Sequence, residues 1–547
     1  MEEEMDTSTL AKGTIWTFAA QMMLKLFSFL YLIILAKFFS AEEVGIFYFA
    51  LSIVSVISIF TDLGLNQSLP RYVPYLYGKG RAAILRSFMK VIFFTGGFLS
   101  LLFSLLLFFS APFVASALGR PEITLSLQVL AFLPFISELA SLGSGFLVGR
   151  KLIKNFQIIY NLQGITKLLF TLILGFLIAF NSVSLSYAYL ISFIPLIIGY
   201  SYFMVKDLGS LRTKGGEERV EKSLIIEIFY FGLLLSLISA FYIVASSTDR
   251  FMLGVLGGEK AMENVGIYSV VTAFAGLLLL PFSAVLTIFF PMVSELFGRE
   301  KMEEIKKITA VAIKWSIIIG APFFILLTGF ADILLRLFYE PEYAAATNVF
   351  ILYLISYGIF SLSLLPMKVI AAMRRLDIEL RIAGICAVVN IILNWFFIPQ
   401  WGMDGAAFAT LFSFFLMALL VFYYSQKLFG FKFPINAYKP LIAAVLAFVL
   451  LYLFRYHLIS FISAFFSWQA PLIIEGLGEE VLNKLIKLVV LGILFAVCMA
   501  VYLALLIFSK SFEATEFVII EKAMRRVRIP EAYIKKIISV FGGIGAN

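Results

Sequence analysis

Apolar residues fall in long unbroken runs, and polar residues gather in short intervals between them. Runs long enough to cross a bilayer as helices, about 20 residues each, cover 13–38, 44–66, 88–111, 124–148, 156–179, 184–205, 223–247, 265–290, 309–331, 344–368, 378–398, 405–426, 440–463 and 485–509. This pattern predicts fourteen transmembrane helices. Barrel strands would instead alternate over about ten residues. The fold class is therefore an all-α polytopic membrane protein.

The intervals set the orientation. With the N-terminus in the cytosol, every even-to-odd interval is rich in Lys and Arg, as cytosolic loops should be. Arg71, Lys79, Arg81 and Arg86 follow the second run, and Arg150, Lys151 and Lys154 follow the fourth. Lys206, Arg212, Lys214, Arg219 and Lys222 follow the sixth, and the later even intervals repeat the bias. The opposite intervals are poor, with Arg120 alone after the third run and no Lys or Arg after the fifth and eleventh. Both termini are expected in the cytosol of a multi-pass cytoplasmic-membrane protein. The acidic start MEEEMDTST and a long first run do not fit a cleavable signal.

Composition narrows the class. Hydrophobic residues make up 62% and charged residues 14% of 547, where soluble domains have about 45–50% and about 25%. A soluble protein and a disordered chain are both excluded. The formal net charge of +9 reads as topology, with no nucleic-acid partner implied. One histidine, His457, and two cysteines in apolar runs, Cys386 and Cys498, argue against a disulfide framework and against a metal site.

A polar stretch at 207–222, DLGSLRTKGGEERVEK, divides six helices from the next six. Val44-Gly45-Ile46-Phe47 before Pro70 parallels Val265-Gly266-Ile267-Tyr268 before Pro291, both at an offset of 221 residues. Gly164-Ile165 parallels Gly384-Ile385 at 220. Six helices preserve orientation, so the halves are parallel repeats about an axis along the membrane normal, one of the transporter symmetries. The expected organisation is a first lobe at 1–222, a second at 223–430, two further helices within 431–510, and a basic amphipathic cytosolic tail at 511–547 that lies on membrane lipid.

Ionisable residues at membrane depth face a cavity or a partner, because hydrocarbon penalises them. Lys25, Glu138 and Lys167 each lie about 17 Å from the cytosolic end of their helices at 1.5 Å per residue, near the bilayer centre. Polar positions accompany them at helical spacing. Thr14, Thr17, Gln21, Lys25 and Ser28 share a face, as do Tyr160, Gln163, Lys167 and Thr171. The second half offers neutral groups: Ser236, Ser239, Tyr353, Tyr357, Asn390 and Asn394. The pattern points to a wet chamber that is cationic on its first-half side, lined by Lys25, Lys167, Gln21, Thr17, Asn390, Asn394 and Tyr357. Glu138 and Asp62 are candidates for ion coupling or for structural charge. Arg71, Asp249 and Arg250 are assigned to gates, with Asp62–Arg71 alternatively a plain ion pair.

Three stretches resemble one family. AKGTIWTF…TDLGLNQSLPRYV at the start, STDRFMLGVLGG…NVGIYSVV in the second half and WGMDGAAFAT at 401–410 are similar to Wzx-type polysaccharide flippases, within the multidrug/oligosaccharidyl-lipid/polysaccharide exporter superfamily. The resemblance covers most of residues 11–430. It implies two six-helix lobes in a V, an alternating-access cycle and a polyprenyl-(pyro)phosphate-linked oligosaccharide as cargo, with Lys25 and Lys167 meeting the phosphate. The chain is expected to act as a monomer, with the lipid-linked oligosaccharide, membrane lipids and glycan-assembly enzymes as its expected partners. The first helix carries Lys25 and lacks the carboxylate of drug-exporting relatives, so Na⁺ or H⁺ coupling there is in doubt.

Two other classes stay open. One is a cation-coupled drug or metabolite antiporter of the same fold. The other is a membrane glycan polymerase or ligase, which would need acid/base carboxylates in a sizeable outer loop. The longest outer interval, 464–484, offers only Glu475, Glu479 and Glu480. No Gly-rich nucleotide loop is present, so no ATP cofactor is expected.

Overall fold

The computed structural model describes residues 7–62, 64–78, 82–210, 222–473, 479–509 and 511. The basic tail beyond 511 and most of the 207–222 linker lie outside the described residues. The described chain is helical throughout. In order, the helices are α1 (Thr7–Phe38), α2 (Ala41–Asp62), α3 (Leu65–Gly78), α4 (Ala82–Ala117), α5 (Thr124–Leu130), α6 (Leu133–Gly149), α7 (Ile153–Leu177), α8 (Ser182–Ile191) and α9 (Ile194–Ser210). The second half continues with α10 (Lys222–Leu256), α11 (Ala261–Ala275), α12 (Leu280–Gly298), α13 (Met302–Gly329), α14 (Ala331–Phe338), α15 (Thr347–Ala372), α16 (Leu376–Phe429), α17 (Tyr438–Ile473) and α18 (Glu479–Phe508). Among the described residues, twelve helical segments are long and apolar enough to cross a membrane. The chain is an all-helical, multi-pass membrane protein.

The 54-residue α16 is two helices joined at Gly402, whose backbone leaves the helical region at φ 55° and ψ −127°. A straight helix would separate Asn390 from Thr410 by about 30 Å. Their side chains lie 3.4 Å apart, so the chain reverses at Gly402 and the two arms pack side by side. Positive φ is open to glycine without a Cβ penalty. The arms correspond to the runs read from the sequence as 378–398 and 405–426.

Two compact units make up the chain. One comprises 1–277, 339–356 and 374–417; the other comprises 278–338, 357–373 and 418–547. In the first, α2 packs most extensively on α11, and α6 is surrounded by α3, α4 and α9. Its core joins Leu65, Leu69 and Tyr72 of α3 to Phe88 of α4, Phe146 of α6 and Tyr200 of α9. The sequence reading leaves residues 67–87 as a cytosolic interval marked by Arg71, Lys79, Arg81 and Arg86. The structure forms α3 through Pro70 and Pro74, since one face, Leu65, Ser68, Leu69, Tyr72, Val73 and Leu76, is wholly buried. Burial of an apolar stripe outweighs poor local propensity.

The second unit has its own core. Ile318, Ala321 and Ile325 of α13 meet Ala443, Ala444 and Ala447 of α17 and Cys498, Tyr502 and Leu506 of α18. Small side chains let these helices approach closely where lipid gives no hydrophobic drive between them. The Tyr502 hydroxyl donates to the Pro440 carbonyl at 3.3 Å. Cys386 and Cys498 are both buried free thiols.

Candidate functional site

Two facing polar stripes build a cavity inside the first unit. On α6, Ser137, Ser141 and Ser144 recur at helical spacing; on α7, Tyr160, Gln163, Gly164 and Lys167 do the same. Leu24 and Ser28 of α1, Tyr189 of α8, and Phe193, Leu196 and Tyr200 close a space of about 570 Å³. Residues at i, i+3/i+4 and i+7 share one helix face, so each stripe points inward as a set. Asn66 donates to Ser141 at 2.5 Å and fixes the serine wall. The Lys167 ammonium stands 4.1 Å from the centre of the Tyr31 ring and 5.9 Å from that of Tyr189. Aromatic faces hold a cation while leaving its N–H donors directed elsewhere.

The second constellation centres on Asp249 of α10, which is 1% exposed. Its Oδ2 accepts from the hydroxyls of Tyr268 and Tyr353 at 2.7 Å and of Thr410 at 2.5 Å. The Asn394 side-chain amide donates to Oδ1 at 2.7 Å and to the Asn390 side-chain Oδ1 at 3.1 Å. The Tyr268 and Tyr353 hydroxyls also touch at 2.7 Å. Three hydroxyl protons thus face four short oxygen–oxygen contacts. A carboxylate among neutral oxygens suits a hard monovalent cation.

The sequence-derived candidates separate in space. Lys167 lines the cavity, whereas Lys25 is exposed beside Met22, Met23 and Leu26, which are exposed too. Gln21 is half-buried on the same helix. The side chains of Thr17 and Asp62 lie outside the described residues. Asn390 and Asn394 come together around Asp249, while Tyr357 is half-buried in the second unit. Glu138 is buried between α6 and α4, where the missing side chain of Gly96 leaves it room. Arg71 is exposed and lies over the rings of Phe231 at 4.4 Å and Tyr72 at 5.4 Å. The Tyr72 hydroxyl donates to Glu227 at 2.9 Å, and burial together with that carboxylate pushes the phenol above its ordinary range. Arg250 turns away from its neighbour Asp249 and lies 5.5 Å from the Tyr48 ring.

Sequence reasoning passed over Ser137, Ser141 and Ser144, and over Tyr268 and Thr410, while Tyr353 entered it only as one of several midplane polar groups. The serine spacing in SELASLGS was the available signal. Asp249, Tyr268 and Thr410 each sit in one of the stretches that carry the family resemblance, DRF, VGIY and GAAFAT, and the fold brings all three to one carboxylate.

A family model described as polysaccharide biosynthesis protein matches residues 10–297, more than half of the chain. The chain belongs to this family. A second model, MatE, matches residues 235–396. Among curated relatives, an uncharacterized membrane protein of Methanocaldococcus jannaschii is 24% identical over 77% of this chain and 85% of its own length. A capsular polysaccharide biosynthesis protein of Staphylococcus aureus is 24% identical over 77% of this chain and its whole length. A probable low-salt glycan biosynthesis flippase of Haloferax volcanii is 24% identical over 35% of this chain and 42% of its own. The fold is shared with the lipid II flippase MurJ in an inward closed conformation, at TM-score 0.64 and 13% identity over 89% of this chain and 98% of that one. It is also shared with a multidrug resistance MATE transporter, at TM-score 0.60 and 13% identity over 74% and 94%.

Proposed function

We propose that this family member flips a lipid-linked oligosaccharide. It would carry a polyprenyl-(pyro)phosphate-linked glycan from the cytosolic to the outer leaflet of the cytoplasmic membrane, as a step in making a cell-surface polysaccharide. The observation that carries the reading is Lys167 held on aromatic rings inside a hydroxyl-lined cavity of a membrane-spanning unit. A sugar–phosphate headgroup cannot cross hydrocarbon unaided, because each unsatisfied polar group costs kilocalories. An ammonium donates charge-assisted hydrogen bonds to phosphate. Ser137, Ser141, Ser144 and Gln163 suit sugar hydroxyls, and the Tyr160, Tyr189 and Tyr200 rings suit the apolar faces of a pyranose.

The work is transport rather than catalysis. Relatives bearing flippase names and the fold shared with the lipid II flippase support it. The MatE match and the MATE-like fold keep a cation-coupled antiporter as the competing reading. We place coupling to a Na⁺ or H⁺ gradient at Asp249, whose buried carboxylate gathers three hydroxyls and an amide, ahead of Glu138 or Asp62.

The architecture in this reading has fourteen spans, because α16 contributes two and α18 one more. Lobes at 1–222 and 223–430 form a V, helices within 431–510 stand outside the repeat, and both termini and the basic tail are cytosolic. The protein works as a monomer, with glycan-assembly enzymes as its partners. The reading is tested by reconstituting the full chain in liposomes with a fluorescent lipid-linked glycan and quenching the outer leaflet chemically. Protein-dependent equilibration of the probe supports it; equilibration no faster than in empty liposomes overturns it.

A further inference from the structure

The Arg250 guanidinium and the Lys167 ammonium meet one aromatic cluster from two sides. Lys167 lies beside Tyr31 and Tyr189, and Arg250 lies over Tyr48. Tyr48 and Tyr189 both pack on Phe47, at 5.1 and 5.6 Å between ring centres. Phe47 thus bridges the ring under Arg250 to a ring beside Lys167. These residues come from α1, α2, α7, α8 and α10 of the first unit. Consecutive residues on a helix diverge by about 100°, which is how Asp249 enters its own hydrogen-bonded set while Arg250 enters the tyrosines.

Among the described residues no carboxylate lies within 4 Å of Lys167 or Arg250, since none of the ion pairs includes them. The Arg250 Nε is buried without a hydrogen-bond partner, and both side chains are half-buried. A cation drawn out of water without a counter-charge is costly, and buried donors are ordinarily paired. An unspent donor and two cations without a carboxylate partner beside one set of rings match an anion with several acceptor oxygens.

We propose that Arg250 is a second phosphate-binding residue, and that Lys167 and Arg250 together select a diphosphate-linked lipid over a monophosphate-linked one. The inference rests on the flippase reading and deepens it. A diphosphate diester carries two negative charges and a phosphate diester one; two cations flanking one aromatic cluster match the former. The guanidinium presents paired N–H donors to phosphate oxygens, and the ammonium acts as a point charge.

The test is binding of two soluble probes, farnesyl-diphospho-N-acetylglucosamine and farnesyl-phospho-N-acetylglucosamine, to the full chain in nanodiscs. The wild type is expected to bind the diphosphate probe about tenfold more tightly or better, the worth of one charged hydrogen-bond contact. Arg250→Gln should erase that preference while leaving affinity for the monophosphate probe within about twofold, and Lys167→Met should weaken both. Arg250→Lys keeps the charge and should retain part of the preference, which keeps the test informative if Arg250→Gln does not fold. Equal affinity of the wild type for both probes, or a preference unchanged in Arg250→Gln, overturns the proposal and leaves the flippase reading standing. Binding of neither probe by the wild type overturns both.

Discussion

Gly45 on α2 and Gly266 on α11 touch backbone to backbone. A Cβ built on Gly45 would fall 1.7 Å from the Met262 carbonyl oxygen, and one on Gly266 would fall 1.8 Å from that of Ala41. The contact is reciprocal: each glycine meets the residue four positions before the other. Reciprocity of this kind is the mark of a local two-fold relation, and the two glycines are related by the 221-residue repeat. The repeat first noticed as a short string of letters is thus a packing relation between two helices.

Alanine at either glycine must push α2 and α11 apart. Gly45→Ala and Gly266→Ala should each destabilise the folded protein by about 1–3 kcal/mol, as overpacking does. The double variant should cost less than the sum, since one separation relieves both clashes. Thermal unfolding in detergent measures this; additive or negligible losses would contradict the close approach.

The Asp249 set makes a graded prediction. Thr410→Val removes one donor and should cost about 1–2 kcal/mol. Asp249→Asn keeps the shape but turns an N–H₂ group toward hydroxyls that need an acceptor, and it removes the charge proposed for coupling. It should abolish gradient-driven transport, whereas Thr410→Val weakens it. Transport into liposomes with and without an imposed Na⁺ or H⁺ gradient checks both. Unchanged gradient dependence in Asp249→Asn would remove the carboxylate from the coupling role.

Lys25 and Lys167 look equivalent in sequence and differ in the structure. Lys167 is inside the cavity on two rings; Lys25 is exposed among apolar side chains. Lys25→Ala should therefore reduce transport by far less than Lys167→Met, which should lower it by about tenfold or more. Equal losses in the leaflet-exchange assay would return Lys25 to the site.

The contrast shows what a linear pattern carries. The spans were legible because continuous apolar runs have few alternatives in a bilayer, and even the reversal at Gly402 shows as a break between two runs. The placement of Lys25, Glu138 and Lys167 within long apolar helices was legible too, being a count of residues along a run. The direction each points was not, because the azimuth of a helix depends on which neighbours pack on it. Ser137, Ser141 and Ser144 line the cavity only because α6 presents that face to α7. Asp249, Tyr268, Tyr353, Asn394 and Thr410 converge from α10, α11, α15 and the two arms of α16, a relation no local spacing reveals. Helix α3 lies in an interval read as a basic loop, and it is stabilised by a buried face that only tertiary contacts supply.

The central claim is that Lys167 holds the phosphate of a lipid-linked glycan while it crosses the membrane. The most direct test compares wild type, Lys167→Met and Lys167→Arg in liposomes loaded with a fluorescent lipid-linked oligosaccharide, following the fraction of probe that becomes accessible to a membrane-impermeant quencher. The account predicts rapid exchange for the wild type, exchange at the empty-liposome rate for Lys167→Met with its melting temperature preserved, and partial recovery for Lys167→Arg. Wild-type exchange by a folded Lys167→Met protein would contradict it.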